Sequence, residues 1–197
     1  MAWSLHRLPV DRRANDALLA IGRALYIGAS FEGKCKYLLG IASLDEAAKA
    51  DPVAGLDDLI TRLPPGRLLG PTLKELERIG PVSPGDAAVL SAAREARNYV
   101  AHEAGSFNIH RQPGRTIREA VDGRSTYDLD SLRAHLARLQ HNVRQLARGD
   151  NLVSTWCFDV DEGRKEARPH DLISTYEATV ERWVLEPVRG LLVTWPD

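Results

Sequence analysis

Apolar residues recur every three or four positions along most of this chain, and this repeat is the strongest constraint on its fold. Four long segments carry it: residues 11–50, 84–104, 130–148 and 170–186. The interval matches the turn of an α-helix, whereas patterning typical of a strand is confined to residues 116–129. The sequence therefore predicts an all-α fold built from packed helices.

The first segment, residues 11–50, combines a helical apolar repeat with many glycines. Gly22, Gly28, Gly33 and Gly40 either allow close packing against a partner helix or mark a kink, and close packing is the better explanation. The apolar repeat that we expect to face the core consists of Leu18, Ile21, Leu25 and Ala29, followed by Leu38, Leu39 and Ile41.

Shorter elements separate the first and second long segments. Residues 56–63 predict a short helix that ends at a Pro-Pro-Gly sequence, and residues 73–79 predict another. Thr72 and Glu75 have the spacing of a capping box at the start of that second helix. Further along, Gly149-Asp150-Asn151 marks a possible helix break, although residues 152–158 could continue the helix.

Residues 84–104 predict the helix on which the candidate chemistry lies. Arg94, Asn98 and His102 are spaced four residues apart, so their side chains share one polar stripe. Arg97 instead projects from within the apolar arc, where a cation should be paired or used. Glu32 of the first segment either pairs with Arg97 or faces solvent, and the sequence leaves both open. The residues of the predicted apolar arc are Val89, Leu90, Ala93, Ala96, Val100, Ala101 and Ala104.

Arg97, Asn98 and His102 are residue types suited to work on a phosphodiester. Arginine presents a charged planar fork that fits phosphate oxygens, and histidine transfers protons near neutral pH. Asparagine can hold a phosphate oxygen or the imidazole. Metal-free RNA cleavage needs such groups to activate the 2′-hydroxyl, to protonate the leaving oxygen and to stabilise negative charge. A purely structural alternative is a surface histidine near a helix C-terminus and an arginine in a salt bridge.

The sequence Arg97-Asn98-Tyr99-Val100-Ala101-His102 resembles the signature of HEPN domains (higher eukaryotes and prokaryotes nucleotide-binding domains), which is Arg, four to six residues, then His. The resemblance implies an antiparallel helical bundle, usually dimeric, with metal-independent ribonuclease activity. It implies that Arg97 and His102 are catalytic and that Asn98 supports them. Family members paired with a nucleotidyltransferase antitoxin carry Tyr two residues after the His, whereas this chain has Ala104 there, which puts control by tyrosine modification in doubt.

Residues 116–129 predict a β-hairpin with a two-residue turn at Asp122-Gly123. This region is locally basic and follows the candidate site directly. Arg111, Arg115 and Arg118, together with Arg94, are therefore candidates for substrate binding. The alternative is a solvated insertion whose arginines keep it soluble.

Composition and length limit the remaining possibilities. The 197 residues suffice for a single domain, with residues 105–129 as a loop or hairpin insertion and residues 165–197 as a C-terminal helical appendage. A net charge of −1 means that RNA binding would depend on local clusters of cations. Two distant cysteines are compatible with a reducing cytoplasm, and neither a signal peptide nor a membrane segment is predicted.

These features predict a cytoplasmic, homodimeric endoribonuclease that needs no cofactor and no metal. RNA is the expected substrate, an antitoxin protein is a possible partner, and a toxin–antitoxin or anti-phage setting is expected. The main alternative is a non-catalytic HEPN-like module that binds RNA or a protein. A nucleotide-binding regulatory domain is a third possibility, although the chain has no phosphate-binding loop.

Overall fold

The computed structural model describes residues 12–61, 68–79, 82–105, 129–162 and 170–192, and every regular element in these ranges is helical. The prediction of an all-α fold is confirmed for this part of the chain. None of its helices combines the length and the apolar character that a bilayer crossing requires. In chain order the helices are α1 (Arg12–Ala50), α2 (Leu56–Thr61), α3 (Leu69–Ile79), α4 (Pro84–His102), α5 (Leu129–Glu162) and α6 (His170–Leu185), followed by a 3-10 helix (Glu186–Leu191).

Helix α4 begins where the local sequence predicts. Ser83 caps it by accepting a hydrogen bond from the backbone N–H of Asp86 at 3.1 Å, and the Ser83 hydroxyl donates to the Asp86 carboxylate at 2.9 Å. Pro84 follows the cap directly, in the first turn, where its missing N–H costs nothing. The predicted capping box at Thr72 is wrong, because α3 begins earlier and the buried Thr72 hydroxyl donates to the carbonyl of Leu68, the residue before that helix.

Buried residues extend along α1 from Ala17 to Leu39 and belong to two neighbouring clusters. The first joins the N-terminal half of α1 to the end of α4, the first half of α5, α6 and the 3-10 helix. The second joins the C-terminal half of α1 to α3, to Leu90 and Ala93 of α4 and to the second half of α5. Val180, Val184 and Val188 lie in the first cluster, so the second part of the predicted C-terminal appendage packs on the bundle of its own chain.

The core face of α1 agrees only in part with the predicted one, because Ile21, Leu38 and Leu39 are buried as expected. Leu18 and Leu25 are 37% and 44% exposed, and Ala29 is also exposed, although all three were expected to be buried. Both faces satisfy a helical repeat, and the face that is buried is rich in alanine. Alanine lets the neighbouring helices approach α1 closely. The fully buried residues of α1 are Ala17, Ala20, Ala24, Phe31 and Cys35.

Helix α5 runs through Gly149 without a break, so the possible break predicted there does not occur. Gly149 is buried, and a Cβ atom built on it would lie 2.3 Å from the Cβ of Ala93 and 3.3 Å from the ring of Phe31. Glycine is therefore required at this position because α4 and α1 cross α5 here at close range.

Replacing Gly149 with alanine is expected to destabilise the protein by about 1–3 kcal/mol, because the extra methyl group must displace backbone or core side chains. The expectation opposes helix propensity, which favours alanine over glycine. Gly70→Ala in α3 is a matched control, since a Cβ there meets no described atom within 4 Å. Urea unfolding of both variants measures the effect, and a Gly149→Ala protein as stable as wild type would contradict the close contact.

A buried polar network ties α1, α5 and α6 together. Lys34 Nζ donates to both carboxylate oxygens of Asp150 at 2.8 and 2.9 Å and to Ser154 Oγ at 2.8 Å. The Tyr176 hydroxyl donates to the same carboxylate. Asp150 is 0% exposed, so its charge is compensated inside the protein by Lys34 and by the hydrogen bond from Tyr176.

Candidate active site

Arg97 lies at the boundary between α4 and α1 and lines an open groove with a volume of about 520 Å³. Its side chain crosses α1 at Gly28, where a Cβ atom would lie 3.2 Å from Arg97 Cγ. Gly28 thus supports the predicted role of glycine in close packing. The groove is lined by Ala24, Leu25, Gly28, Ala29, Glu32, Gly33, Lys36, Arg97, Val100 and Ala101.

The pairing of Arg97 with Glu32 is present. One guanidinium nitrogen of Arg97 lies 2.7 Å from Glu32 Oε2, and Lys36 Nζ lies 2.7 Å from Glu32 Oε1. The hydrogen bond from Lys36 and the charge of Arg97 hold the pKa of Glu32 below its usual value, although partial burial acts in the opposite direction. Two cations therefore share one carboxylate, and the groove keeps an excess of positive charge that suits a phosphate.

Asn98 and His102 lie outside the groove. Asn98 is exposed, and its side-chain oxygen is 3.4 Å from an Arg97 guanidinium nitrogen. His102 is exposed at the end of α4 and does not line the groove. Five helical residues separate Arg97 from His102, about 7.5 Å along the axis and 140° around it. One chain therefore brings Arg97 and Asn98 together and leaves His102 on another face.

The other predicted residues of the apolar arc and the substrate-binding set have mixed outcomes. Ala101 is exposed beside the groove, so its predicted burial is wrong, whereas Tyr99 is buried.

Arg94 is 34% exposed and lies 3.9 Å from Glu95, on the same side of α4 as Asn98. Arg111, Arg115 and Arg118, and almost all of the predicted hairpin, lie outside the described residues, while Leu129 at its end already belongs to α5.

Helix α5 fixes the end of α4 that carries His102. His135 Nε2 lies 2.6 Å from the carbonyl oxygen of Ala104, and Arg138 pairs with Glu103 at 2.9 Å. The Arg138 guanidinium also stacks 4.5 Å from the centre of the Tyr99 ring. These contacts anchor the residues on both sides of His102 and leave the imidazole itself accessible.

Lys36 is a site residue that the sequence reasoning missed. Its side chain is 44% exposed at the mouth of the groove, so it can reach both Glu32 and a bound anion. A signal existed: Glu32, Lys34 and Lys36 are the only charged residues between positions 24 and 44. Glu32 and Lys36 form an ion pair at the groove, and Lys34 pairs with Asp150 in the buried network.

Among the described residues, no group of three or more His, Cys, Asp or Glu side chains is arranged to hold a metal ion. Comparison of the chain with protein-family models, with curated proteins and with solved structures gives no match.

The Glu32 carboxylate should make stability depend on pH. Its pKa is lowered from 4.5 in the folded chain, so its contribution is present above pH 4.5 and is lost as the pH falls through the folded-state value. Glu32→Gln is expected to lower the free energy of unfolding by about 1 kcal/mol at pH 7. Chemical unfolding at pH 7 and at pH 3 should show this difference shrinking at the lower pH, whereas a constant difference would contradict the ion pairs.

Proposed function

We propose that this protein is a metal-independent endoribonuclease of HEPN type that cleaves RNA by attack of the 2′-hydroxyl on the adjacent phosphate. The observation that carries the proposal is that Arg97 lines a groove together with Glu32, with which it pairs, and with Lys36. The same helix presents an accessible histidine one and a half turns later. This arrangement supplies phosphate binding and proton transfer on one rigid element.

The chemistry follows from these groups. A neutral imidazole of His102 takes the proton of the 2′-hydroxyl, whose oxygen attacks phosphorus while the bond to the leaving 5′-oxygen breaks. An imidazolium gives a proton to that leaving oxygen, so the products are a 2′,3′-cyclic phosphate and a 5′-hydroxyl. Arg97 stabilises the negative charge on the non-bridging oxygens, and Asn98 orients either the phosphate or the guanidinium.

The geometry favours a site shared by two chains. The mechanism uses one histidine as base and another as acid, and among the described residues each chain provides only His102 in this constellation. A two-fold axis between two α4 helices would gather two His102 and two Arg97 side chains in one groove. In such a dimer each chain would place its Arg97 and its His102 at opposite ends of the scissile phosphate. This would explain why the two side chains point in different directions around α4.

A non-catalytic RNA- or protein-binding module is the second candidate. The observation that favours it is the ion pair itself, because the Arg97 guanidinium is engaged by Glu32 at 2.7 Å and is 31% exposed. In that case Arg97 would join α4 to α1, and the groove would bind without cleaving. A toxin–antitoxin or anti-phage setting in the cytoplasm belongs to the first proposal and not to the second.

Purified protein with end-labelled RNA distinguishes the two candidates. In the presence of EDTA we expect cleavage to persist and to leave 2′,3′-cyclic phosphate and 5′-hydroxyl ends, because arginine and histidine supply every group required. Binding without cleavage would support the non-catalytic module. A strict requirement for Mg²⁺ or Mn²⁺ would contradict the proposed mechanism.

A further inference from the structure

Two aromatic side chains stand on the surface where α6 packs against the first half of α1. Tyr26 is 68% exposed and Trp183 is 43% exposed. Their ring centres lie 6.1 Å apart and the ring planes are inclined by 70°, so the contact is edge to face. Such a contact leaves both faces of one ring uncovered by the other. We call Tyr26, Trp183 and the neighbouring Arg23 the aromatic platform.

Arg23 fixes the position of Trp183 and gives the platform a positive charge. One guanidinium nitrogen donates to the Trp183 carbonyl oxygen at 2.6 Å, and the guanidinium carbon lies 5.2 Å from the centre of the Trp183 ring. Among the described residues Arg23 forms no ion pair with a carboxylate. The carbonyl oxygen uses only part of its five N–H donors, so the guanidinium keeps both charge and donors for an anion.

The platform adjoins the groove that Arg97 lines. Leu25, directly before Tyr26, and Ala29, one turn after Leu25, both belong to the groove lining. Gly28, which the Arg97 side chain crosses, lies about 160° around α1 from Tyr26 and about 3 Å along the axis. The two sites are therefore separated by about one helix diameter, roughly 10–12 Å.

Aromatic rings beside cations are the feature on which proteins stack the bases of single-stranded nucleic acids. We propose that the aromatic platform is a nucleobase-binding subsite, in which a base of the RNA stacks on the Tyr26 ring and a phosphate next to it contacts Arg23. This inference rests on the proposed function, because that function supplies RNA as the ligand. It adds that the RNA must offer an unpaired base near the phosphate held at Arg97.

Charge is the reason to choose RNA over a protein partner for this surface. The platform and the groove lining together contain three cations, Arg23, Lys36 and Arg97, and one carboxylate, that of Glu32. A surface with this balance attracts a polyanion across the whole width of α1. A base inside a duplex is paired and stacked on its neighbours, whereas a base in a single strand or a loop is free to stack on a protein side chain.

The first experiment measures RNA binding without cleavage, so its result does not depend on nuclease activity. The probe is a labelled 2′-O-methyl RNA of mixed, unstructured sequence, which lacks the attacking hydroxyl. Fluorescence anisotropy should give a Kd about tenfold higher for Tyr26→Ala than for the wild-type chain. Tyr26→Phe should bind as the wild type does, because it keeps the ring.

Tyr37→Ala is the matched control for this experiment. Tyr37 is 43% exposed on the same helix and lies about 16 Å further along its axis, so its loss should leave the Kd unchanged. Circular dichroism checks that each variant is folded. A Tyr26→Ala protein that binds as tightly as the wild type, or a wild-type chain that does not bind the probe, would overturn the subsite.

The second experiment tests whether Tyr26 acts through the base. An abasic oligomer of the same length keeps the phosphates, and at low salt these suffice for binding. Tyr26→Ala should not weaken binding of the abasic oligomer, and an equal loss on both oligomers would overturn the subsite. Binding that depends on Tyr26 without cleavage of unmodified RNA would reject the nuclease and keep the subsite. Cleavage by the wild type with an unchanged Kd for Tyr26→Ala would do the reverse.

Discussion

His102→Ala is expected to lower the rate of RNA cleavage by about 10³-fold, because the variant has no group to move protons at the scissile phosphate. Arg97→Ala is expected to lower it by about 10²–10³-fold through loss of charge stabilisation in the transition state. The fold should survive both changes. His102 is exposed, and Arg97 contributes one partly exposed ion pair worth about 1 kcal/mol. Initial rates on a labelled RNA, with circular dichroism as the folding check, measure the effect.

Two matched variants test whether the loss is specific to the site. His141→Ala removes an exposed histidine on α5, and Arg78→Ala removes an exposed arginine on α3, each far from the groove residues in sequence. Both should cleave RNA at the wild-type rate. Equal losses in the site variants and these controls would show that the activity comes from a contaminant or from general destabilisation.

Lys34→Met is expected to lower the free energy of unfolding by about 3 kcal/mol, the largest stability effect that we predict. Lys34 donates to both oxygens of Asp150, which is 0% exposed. Methionine keeps the volume of the side chain and removes its charge, so the buried carboxylate loses its counter-ion and keeps the hydrogen bond from the Tyr176 hydroxyl. Urea unfolding monitored by circular dichroism measures the change.

The control for this effect is Lys49→Met. Lys49 pairs with Asp45 at 2.5 Å on the surface of the same helix, where the two side chains are 73% and 59% exposed. An exposed pair of this kind contributes little to stability, because solvent screens it. The double variant Lys34→Met/Asp150→Leu should recover part of the loss, because it removes both charges together. A Lys34→Met protein no less stable than Lys49→Met would show that the buried network does not carry this energy.

The features of this fold that could be predicted from sequence are those encoded locally. Ser83 and Pro84 define the start of α4 through contacts within four residues, and the helical repeat defines the long segments. The partnership of Arg97 and Glu32 was one of two open alternatives, suggested because a cation in an apolar arc needs an anion. Local rules of this kind do not require knowledge of how the helices are arranged.

The buried face of α1 could be predicted only in part, since Ile21, Leu38 and Leu39 are buried as expected but Leu18 and Leu25 are not. The choice between the two faces depends on the other helices. One helical repeat contains Leu18 and Leu25 and another contains Ala20 and Ala24, and both have the correct spacing. Hydrophobicity favours the leucines, whereas close approach of α4 and α5 favours the alanines. The same reasoning applies to Gly149, which indicates a helix break when read alone and a helix crossing once Ala93 is known to face it.

The candidate site likewise combines residues that their spacing in the sequence singles out with contacts that only the folded chain creates. Arg97, Asn98 and His102 are adjacent in sequence and could be singled out by their spacing. The anchoring of the end of α4 depends on His135 and Arg138, which are 31 and 35 residues from their partners Ala104 and Glu103. No periodic pattern encodes those contacts, so the rigidity of the segment around His102 becomes evident only in the folded chain.

Dimers that mix wild-type chains with His102→Ala chains test most directly whether one active site is built from two chains. Two differently tagged chains can be co-expressed and the mixed dimer isolated by sequential affinity steps. A shared site needs one His102 to take a proton and the other to give one, so the mixed dimer should lose well over half of the wild-type cleavage rate. A mixed dimer that retains half of that rate, or a monomer that is fully active, would contradict this account.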